Sequence, residues 1–201
     1  HDPDVDVRER VEDAQQLHLF CGDGAASPGS ILTFLAWEDG SLGRVGHGAP
    51  SEISLEISPE AIGFWLTRAL QYNIKLSGPA QEFGQPVLRL TDPDGIIVKL
   101  VGVEETGPWV WWKDGGIAEE NAVRRLYGAT ILSEKPQETA EFLVRHMGLA
   151  VGGREGNIQR LVSDAHDIVD VRDASGFWTS APGTGAIDHI SFRAADRAAV
   201  E

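Results

Sequence analysis

Two histidines in strand-like sequence are the side chains best placed to do chemistry, because imidazole both moves protons and binds metals near neutral pH. His18 lies between two leucines, so strand alternation puts it on the same face as Phe20. There it would act as a proton-transfer or substrate-binding group, or it would be a structural or exposed histidine. His189 lies in the apolar run 187–192, where neighbouring groups could satisfy both of its nitrogens. The elements around each histidine must decide between these alternatives.

Other candidates are aromatic, acidic or glycine-rich. The cluster of Trp109, Trp111 and Trp112 could form an aromatic cage or pack two domains together. Glu52 carries a carboxylate that could bind a metal. The glycine-rich loop 40–50 lacks the lysine and hydroxyl residue of a phosphate-binding loop, so that function is excluded.

The composition predicts a globular protein with an acidic surface. The 201 residues include 17 basic and 31 acidic side chains, giving a net charge of −14. Such a surface repels nucleic acid and anionic membranes, so we expect neither as a partner. The single cysteine, Cys21, cannot form an internal disulfide, which favours a cytoplasmic location, and we expect it to be a small buried side chain. No apolar run reaches the roughly 20 residues that span a bilayer.

The elements that position these residues repeat the order strand, helix, strand, strand, strand. The first copy consists of strand 52–57, a helix from Ser58 and Pro59, and strands 74–76, 86–90 and 96–101. The second consists of strand 126–132, a helix from 133 that ends at Gly148, and strands 156–162 and 168–172. A third copy begins with strand 187–193 and a helix near Asp196, and strands 17–20 and 31–37 precede the first copy.

Aligning the strand starts places Glu52, Gly128 and His189 at equivalent positions. One unit is a curved half-sheet that needs a partner to cover its face and edge, and paired units form a cup that can hold a ligand. We therefore predict the α+β class, with repeated βαβββ modules forming curved mixed sheets, and we expect the chain to be cut at both ends. The predicted boundaries are 1–47 for the C-terminal part of module one, 48–106 for module two, 107–121 for a tryptophan-rich linker, 122–182 for module three and 183–201 for the start of module four.

Two motifs resemble those of a known superfamily. The turn Asp92-Pro93-Asp94-Gly95 before an apolar strand resembles the DPDG signature of the vicinal-oxygen-chelate superfamily, which includes glyoxalase I, bleomycin-resistance proteins and extradiol dioxygenases. The stretch 18–23, followed by Ser27-Pro28-Gly29 and Leu32-Thr33-Phe34, resembles the HLYYGD…SPGT-hTF pattern of the hydroquinone-type ring-cleaving dioxygenases. In that family, residues 185–192 would be the first strand of module four.

This resemblance implies one metal ion, Fe(II) or alternatively Mn, Zn or Ni, held by two histidines and a glutamate. The family takes its ligands from the first strand of module one and the first and last strands of module four. Carried over, His189 is the metal ligand in this sequence, and the other two are expected before His1 and after Glu201. The family often has a second histidine where this chain has Asp188, which strand alternation would turn away from His189.

The middle modules are expected to be scaffold, because Gly128 has no side chain and the ammonium of Lys99 cannot bind a metal at the positions where ligands would lie. The implied reaction is extradiol cleavage of a hydroquinone- or catechol-like aromatic by dioxygen, in a homo-oligomer. Two alternatives stay open. One is a glyoxalase-like isomerase or lyase that uses Zn, Ni or Mn as a Lewis acid. The other is a metal-free protein that binds a small molecule, as bleomycin-resistance proteins do.

Overall fold

The structure, a computed structural model, describes residues 6–9, 17–27, 29–104 and 107–192. A three-stranded antiparallel sheet comprises β1 (Asp6–Glu9), β2 (Leu17–Cys21) and β3 (Leu32–Ala36). The central strands are β4 (Ala49–Ile57), β5 (Lys75–Glu82), β6 (Gln85–Thr91), β7 (Ile97–Gly102), β8 (Arg125–Ser133), β9 (Ala150–Glu155), β10 (Ile158–Val162) and β11 (Ile168–Asp173). The helices are α1 (Ile62–Gln71) and α2 (Pro136–Met147), with 3-10 turns at Pro59–Ala61, Lys113–Gly115 and Glu119–Asn121.

The central strands form one mixed sheet in the order β5-β6-β7-β4-β8-β11-β10-β9. At its centre β4 and β8 run antiparallel, with Glu52 opposite Thr130 and Ser54 opposite Gly128. The strands β4 and β8 each have one parallel neighbour, which is β7 for β4 and β11 for β8. The sheet therefore consists of two βαβββ units related by a local twofold axis, which confirms the predicted α+β repeat.

Both helices cover the same face of this sheet. Under α1, a buried cluster includes Ile57, Leu88 and Leu100. Under α2, Leu143 packs with Leu161, Val169 and Val171. Alternation along each strand turns the intervening side chains to the opposite face, called the inner face below. The inner face carries charged and polar side chains that belong to both halves.

Both helices begin later than the sequence predicted. The second was expected from residue 133 and starts at Pro136, whereas Gly148 follows its end in the left-handed conformation, with φ of 68°, as predicted. The first helix begins later than predicted, because Pro59 opens a 3-10 turn and α1 starts at Ile62. The Ser58 hydroxyl bonds to the carboxylate of Glu60 and does not cap the helix, so the predicted N-cap was wrong.

The expected first strand of module four is not formed in the described part of the chain, where residues 187–192 belong to no strand. A strand requires a hydrogen-bonded neighbour, and the backbone pairing of this region lies just upstream, between residues 42–47 and 179–184. The helix expected near Asp196 lies outside the described residues. Sequence patterning also missed β9. The module boundaries themselves stay a prediction. Among the described residues, no helix is long and apolar enough to cross a bilayer.

Candidate functional site

His189 lies in the irregular segment after the pairing of residues 179–184, and its side chain is 70% exposed. The carboxylate of Asp188 accepts a hydrogen bond from His189 Nδ1 at 2.7 Å. Because the segment is not a strand, Asp188 is not turned away from its neighbour, and that expectation was wrong. With Nδ1 engaged as a donor, Nε2 of a neutral imidazole carries the free lone pair, which is the arrangement that metal-binding histidines use.

His18 occupies a different environment. It lies in β2, opposite Arg8 on one side and Leu35 on the other, and only 7% of it is exposed. Its ring centroid lies 6.3 Å from that of Phe20. Cys21, expected to be buried, is exposed because it ends the strand.

No group of three or more His, Cys, Asp or Glu side chains able to hold a metal occurs within the described ranges. The described residues therefore supply single histidines and no complete ligand set. The metal-binding role of His189 and the catalytic role of His18 both stay predictions.

The inner face of the central sheet holds a buried ion network that the repeat organises. Lys99 lies opposite Ser54 in β7, and Asp170 lies opposite Thr130 in β11, so the two are related by the local twofold axis. Lys99 Nζ lies 3.0 Å from Asp170 Oδ2 and 3.4 Å from Glu82 Oε2. Neither the Lys99 nor the Asp170 side chain is exposed to solvent.

Glu52, the carboxylate that could have bound a metal, is instead surrounded by cations. Arg89 donates to both of its oxygens, at 3.0 and 3.2 Å, and Arg172 donates to Oε1 at 3.1 Å. Burial alone would raise the pKa of Glu52, but the hydrogen bonds from Arg89 and the charges of Arg172, Arg89 and Lys99 outweigh it and hold the pKa below its usual value. Both oxygens of Glu52 are thus occupied by arginine, whose paired N–H groups match the two oxygens of a carboxylate.

Asp170 is held in the same manner from the other half of the sheet. Arg160 donates from Nε and Nη2 to its two oxygens, at 2.8 and 3.0 Å. Burial would raise the pKa of Asp170, but the bonds from Arg160 and the charge of Lys99 lower it. Neither the repeat alignment nor the motifs had singled out the arginines of this network. The signal available in the sequence was the alternation of charged and apolar residues along β6, β7, β10 and β11. A strand covered by apolar layers on both faces would instead be apolar along its whole length.

The tryptophan-rich linker contacts the turn that follows β2. Gly24 N donates to Val110 O at 3.0 Å, and Trp111 Nε1 donates to Ile117 O at 3.1 Å. Trp112 is 38% exposed, and its ring lies against Gly115. These contacts fit the packing interpretation of the cluster.

Comparison with known proteins gives related sequences of greater length. No family model matches the chain. MhqO of Bacillus subtilis strain 168 is 31% identical over 187 residues, which cover 92% of this chain and 59% of MhqO. MhqE of the same strain is 25% identical over 187 residues, covering 90% of this chain and 60% of MhqE. Both names provisionally describe a ring-cleaving dioxygenase. The chain thus spans about three fifths of the length of these relatives.

Two solved structures share this fold. A crystal structure from Bacillus subtilis, provisionally named a dioxygenase, superposes with a TM-score of 0.87 and 29% identity over 98% of this chain and 64% of that one. Glyoxalase I from Zea mays superposes with a TM-score of 0.61 and 12% identity, covering 90% of this chain and 62% of the maize chain. The second likeness concerns the fold alone.

Proposed function

The chain belongs to the vicinal-oxygen-chelate superfamily, and from that premise we propose that it is part of a metal-dependent dioxygenase that cleaves the ring of a hydroquinone- or catechol-like aromatic. The provisional names of MhqO and MhqE support ring cleavage over the other reactions of the superfamily. The proposed partners are the small aromatic substrate and dioxygen, in a cytoplasmic homo-oligomer. The proposed metal is Fe(II).

The observation that carries the proposal is the pairing of Asp188 with His189. A metal site needs a neutral imidazole in one tautomer, and a carboxylate on one ring nitrogen fixes both the tautomer and the ring plane. The 2.7 Å bond to Nδ1 does this, and the exposed ring leaves Nε2 accessible. A bound Fe(II) would supply coordination of the substrate oxygens and activation of dioxygen. Asp188 is thus a positioning residue in place of the second histidine that the family often has there.

His18 is the proposed proton acceptor. An aromatic diol must lose a proton when its oxygen binds a metal, and a buried imidazole can accept it. In β2 only 7% of His18 is exposed, and its ring lies beside that of Phe20, an apolar surface suited to an aromatic substrate.

Metal content is the measurement that tests the function. We expect the protein expressed from its complete gene and purified without oxygen to carry close to one iron per chain, and the His189→Ala variant to lose it. His146→Ala is the matched control, because His146 lies on α2 with its ring against Phe142. Equal metal content in all three proteins would show that His189 is not a metal ligand. Wild-type protein with Zn or Ni and no iron would favour the glyoxalase-like alternative, and metal-free protein would favour the binding protein.

A further inference from the structure

We propose that a cleft on the inner face of the central sheet binds a small planar aromatic carboxylate. The cleft has a volume of about 380 Å³, at the small end of the range for ligand sites. Its walls come from both halves of the repeat and include Phe83, Gln85, Tyr127, Gly152, Arg160 and His166. None of these residues is among the expected metal ligands, so the cleft is separate from the proposed metal site.

Two β-bulges border the cleft and shape it. In the β4–β8 pair, Ser54 lies opposite Gly128 and Leu55 opposite Leu126, so Tyr127 is the extra residue of β8. In the β9–β10 pair, Gly153 lies opposite Arg160 and Val151 opposite Leu161, so Gly152 is the extra residue of β9. Bulges re-aim side chains and are enriched beside functional sites. The first bulge turns Tyr127 to the inner face. The second places Gly152, which has no side chain, at the rim of the cleft.

Two residues in the left-handed backbone conformation also line the cleft. Phe83 has φ of 51° and His166 has φ of 63°, a region that bulky side chains rarely adopt. Such strained residues cluster at ligand sites, where the surrounding structure holds them. Phe83 is held because its backbone N–H donates to the carboxylate of Glu155 at 2.5 Å, which attaches the β5–β6 turn to β9. His166 is held in the turn before β11, where its N–H donates to Ser163 O at 3.0 Å.

The buried polar groups of the cleft are donors, which selects an anionic acceptor. Gln85 Nε2 donates to the Tyr127 hydroxyl at 3.0 Å, so the hydroxyl hydrogen points away from Gln85, and no acceptor for it occurs among the described residues. Tyr127 is 7% exposed and Arg160 is 6% exposed. Arg160 uses Nε, Nη1 and Nη2 on Asp170 and Gln85, and each of its Nη atoms retains a second N–H.

The donors of the ion network also favour an anion. The network contains four cations, on Arg89, Lys99, Arg160 and Arg172, and three carboxylates, on Glu52, Glu82 and Asp170. The carboxylate of Glu155, which accepts a hydrogen bond from the N–H of Phe83, offsets the fourth cation. A carboxylate ligand would therefore be recognised by the remaining N–H groups of Arg160 and by the hydroxyl of Tyr127, and not by an excess of positive charge.

The apolar walls require the rest of the ligand to be flat. The guanidinium carbon of Arg160 lies 3.9 Å from the centroid of the Phe83 ring, so the two planar groups are in van der Waals contact. Val162 and Ile168 complete the apolar wall. A benzoate-like molecule can place its ring beside these residues and its carboxylate toward Arg160 and Tyr127. This is the ligand class that we assign to the cleft.

NMR titration of the metal-free protein with benzoate tests the assignment. We expect saturable shifts at Phe83 and His166, with a dissociation constant on the order of 1 mM for so small a ligand. Tyr127→Phe removes only the hydroxyl and should weaken binding roughly five- to tenfold. Tyr72→Phe, an equivalent change at an exposed position beyond α1, should leave binding unchanged.

A second variant tests the shape of the cleft. A Cβ at position 152 would lie 2.4 Å from Val162 Cγ2, so Gly152→Ala should push Val162 into the cleft and weaken benzoate binding. Gly107→Ala is its control, because a Cβ there meets nothing within 4 Å. The proposal is overturned if benzoate shifts no signals of the cleft, if Tyr127→Phe binds it as tightly as the wild type, or if non-planar cyclohexanecarboxylate binds equally well. None of these outcomes depends on iron content, so the test of His189 can fail or succeed separately.

Discussion

At the residue scale, Lys99 shows how a buried charge can be tolerated in the interior of a sheet. Its ammonium lies within 4.0 Å of three carboxylates, on Asp170, Glu82 and Glu52, and it is completely excluded from water. Burying an unpaired ammonium costs several kcal/mol, so the cation is stable there only because the carboxylates compensate it. The same contacts bind the two halves of the repeat, since Asp170 comes from the second half.

Removing the Lys99 charge should be strongly destabilising. Lys99→Met leaves Asp170 and Glu82 with one cation fewer in a dry environment, and we expect a loss of about 3–5 kcal/mol in the free energy of unfolding. Urea denaturation monitored by tryptophan fluorescence measures it. Lys135→Met is the control, because Lys135 pairs with Glu138 on the surface and such a pair contributes well under about 1 kcal/mol. Similar losses in both variants would show that the buried network does not stabilise the fold.

At the element scale, Gly128 has a structural reason to lack a side chain at the position equivalent to His189. A Cβ at Gly128 would lie 1.9 Å from the carbonyl oxygen of Ile168 in the neighbouring strand. The strands β8 and β11 could not keep their parallel register around such a contact. The glycine therefore maintains the close approach of two strands at the centre of the second half.

Gly128→Ala should separate these strands locally. We expect a loss of about 3 kcal/mol, the cost of overpacking a rigid backbone contact, measured as a shift of the urea midpoint. Gly63→Ala in α1 is the matched control, because a Cβ there meets nothing within 4 Å and alanine favours the helix. The control should be neutral or more stable than the wild type. A Gly128→Ala protein as stable as the control would contradict the close approach.

Hydrophobic periodicity predicted most elements of the two complete repeats. It identified α2 and its C-terminal end, because a glycine after the last turn is a direct signal of a helix boundary, but it placed the start at residue 133 instead of Pro136. It missed β9, where Gly152 and Gly153 interrupt the alternation that identifies a strand. It also predicted a strand over 187–193, since an apolar run looks the same whether or not a neighbouring strand pairs with it.

The candidate site was predictable only in part, because sequence gives residue types and spacing but not contacts. The repeat alignment singled out His189, yet the hydrogen bond that His189 donates to Asp188 depends on the segment being irregular, which no periodicity shows. Tyr127 and Phe83 gave no signal at all. Their positions follow from a bulge and a left-handed turn, and both arise from strand pairing far away in sequence.

At the scale of the whole molecule, acidity and stability are linked through the buried carboxylates. Glu52 and Asp170 have folded-state pKa values below their ordinary values of 4.5 and 3.8. Near and below those values the unfolded chain binds protons that the folded chain does not, so the free energy of unfolding must decrease as pH decreases. The stabilisation is fully present above the ordinary pKa values and is lost as pH decreases through the depressed ones.

Acid titration of stability should reveal this linkage. We expect the free energy of unfolding of the wild type to decrease steeply below about pH 4.5, and the Asp170→Asn variant to show a shallower slope because one linked group is gone. The slope, and not the absolute stability, is the measured quantity, since the substitution also disturbs Arg160. Asp164→Asn, in an exposed turn, should keep the wild-type slope. Equal slopes in all three proteins would exclude Asp170 as a linked group.

The antiparallel junction of β4 and β8 joins the two halves by backbone hydrogen bonds along most of both strands. Neither half can detach without breaking these hydrogen bonds, separating Lys99 from Asp170 and leaving a long unpaired strand edge. The repeats are therefore one cooperative folding unit, although each has its own helix and apolar cluster. The two copies of the module can therefore change separately in sequence, but they are stable only together. Each substitution in one copy is selected in the presence of the other.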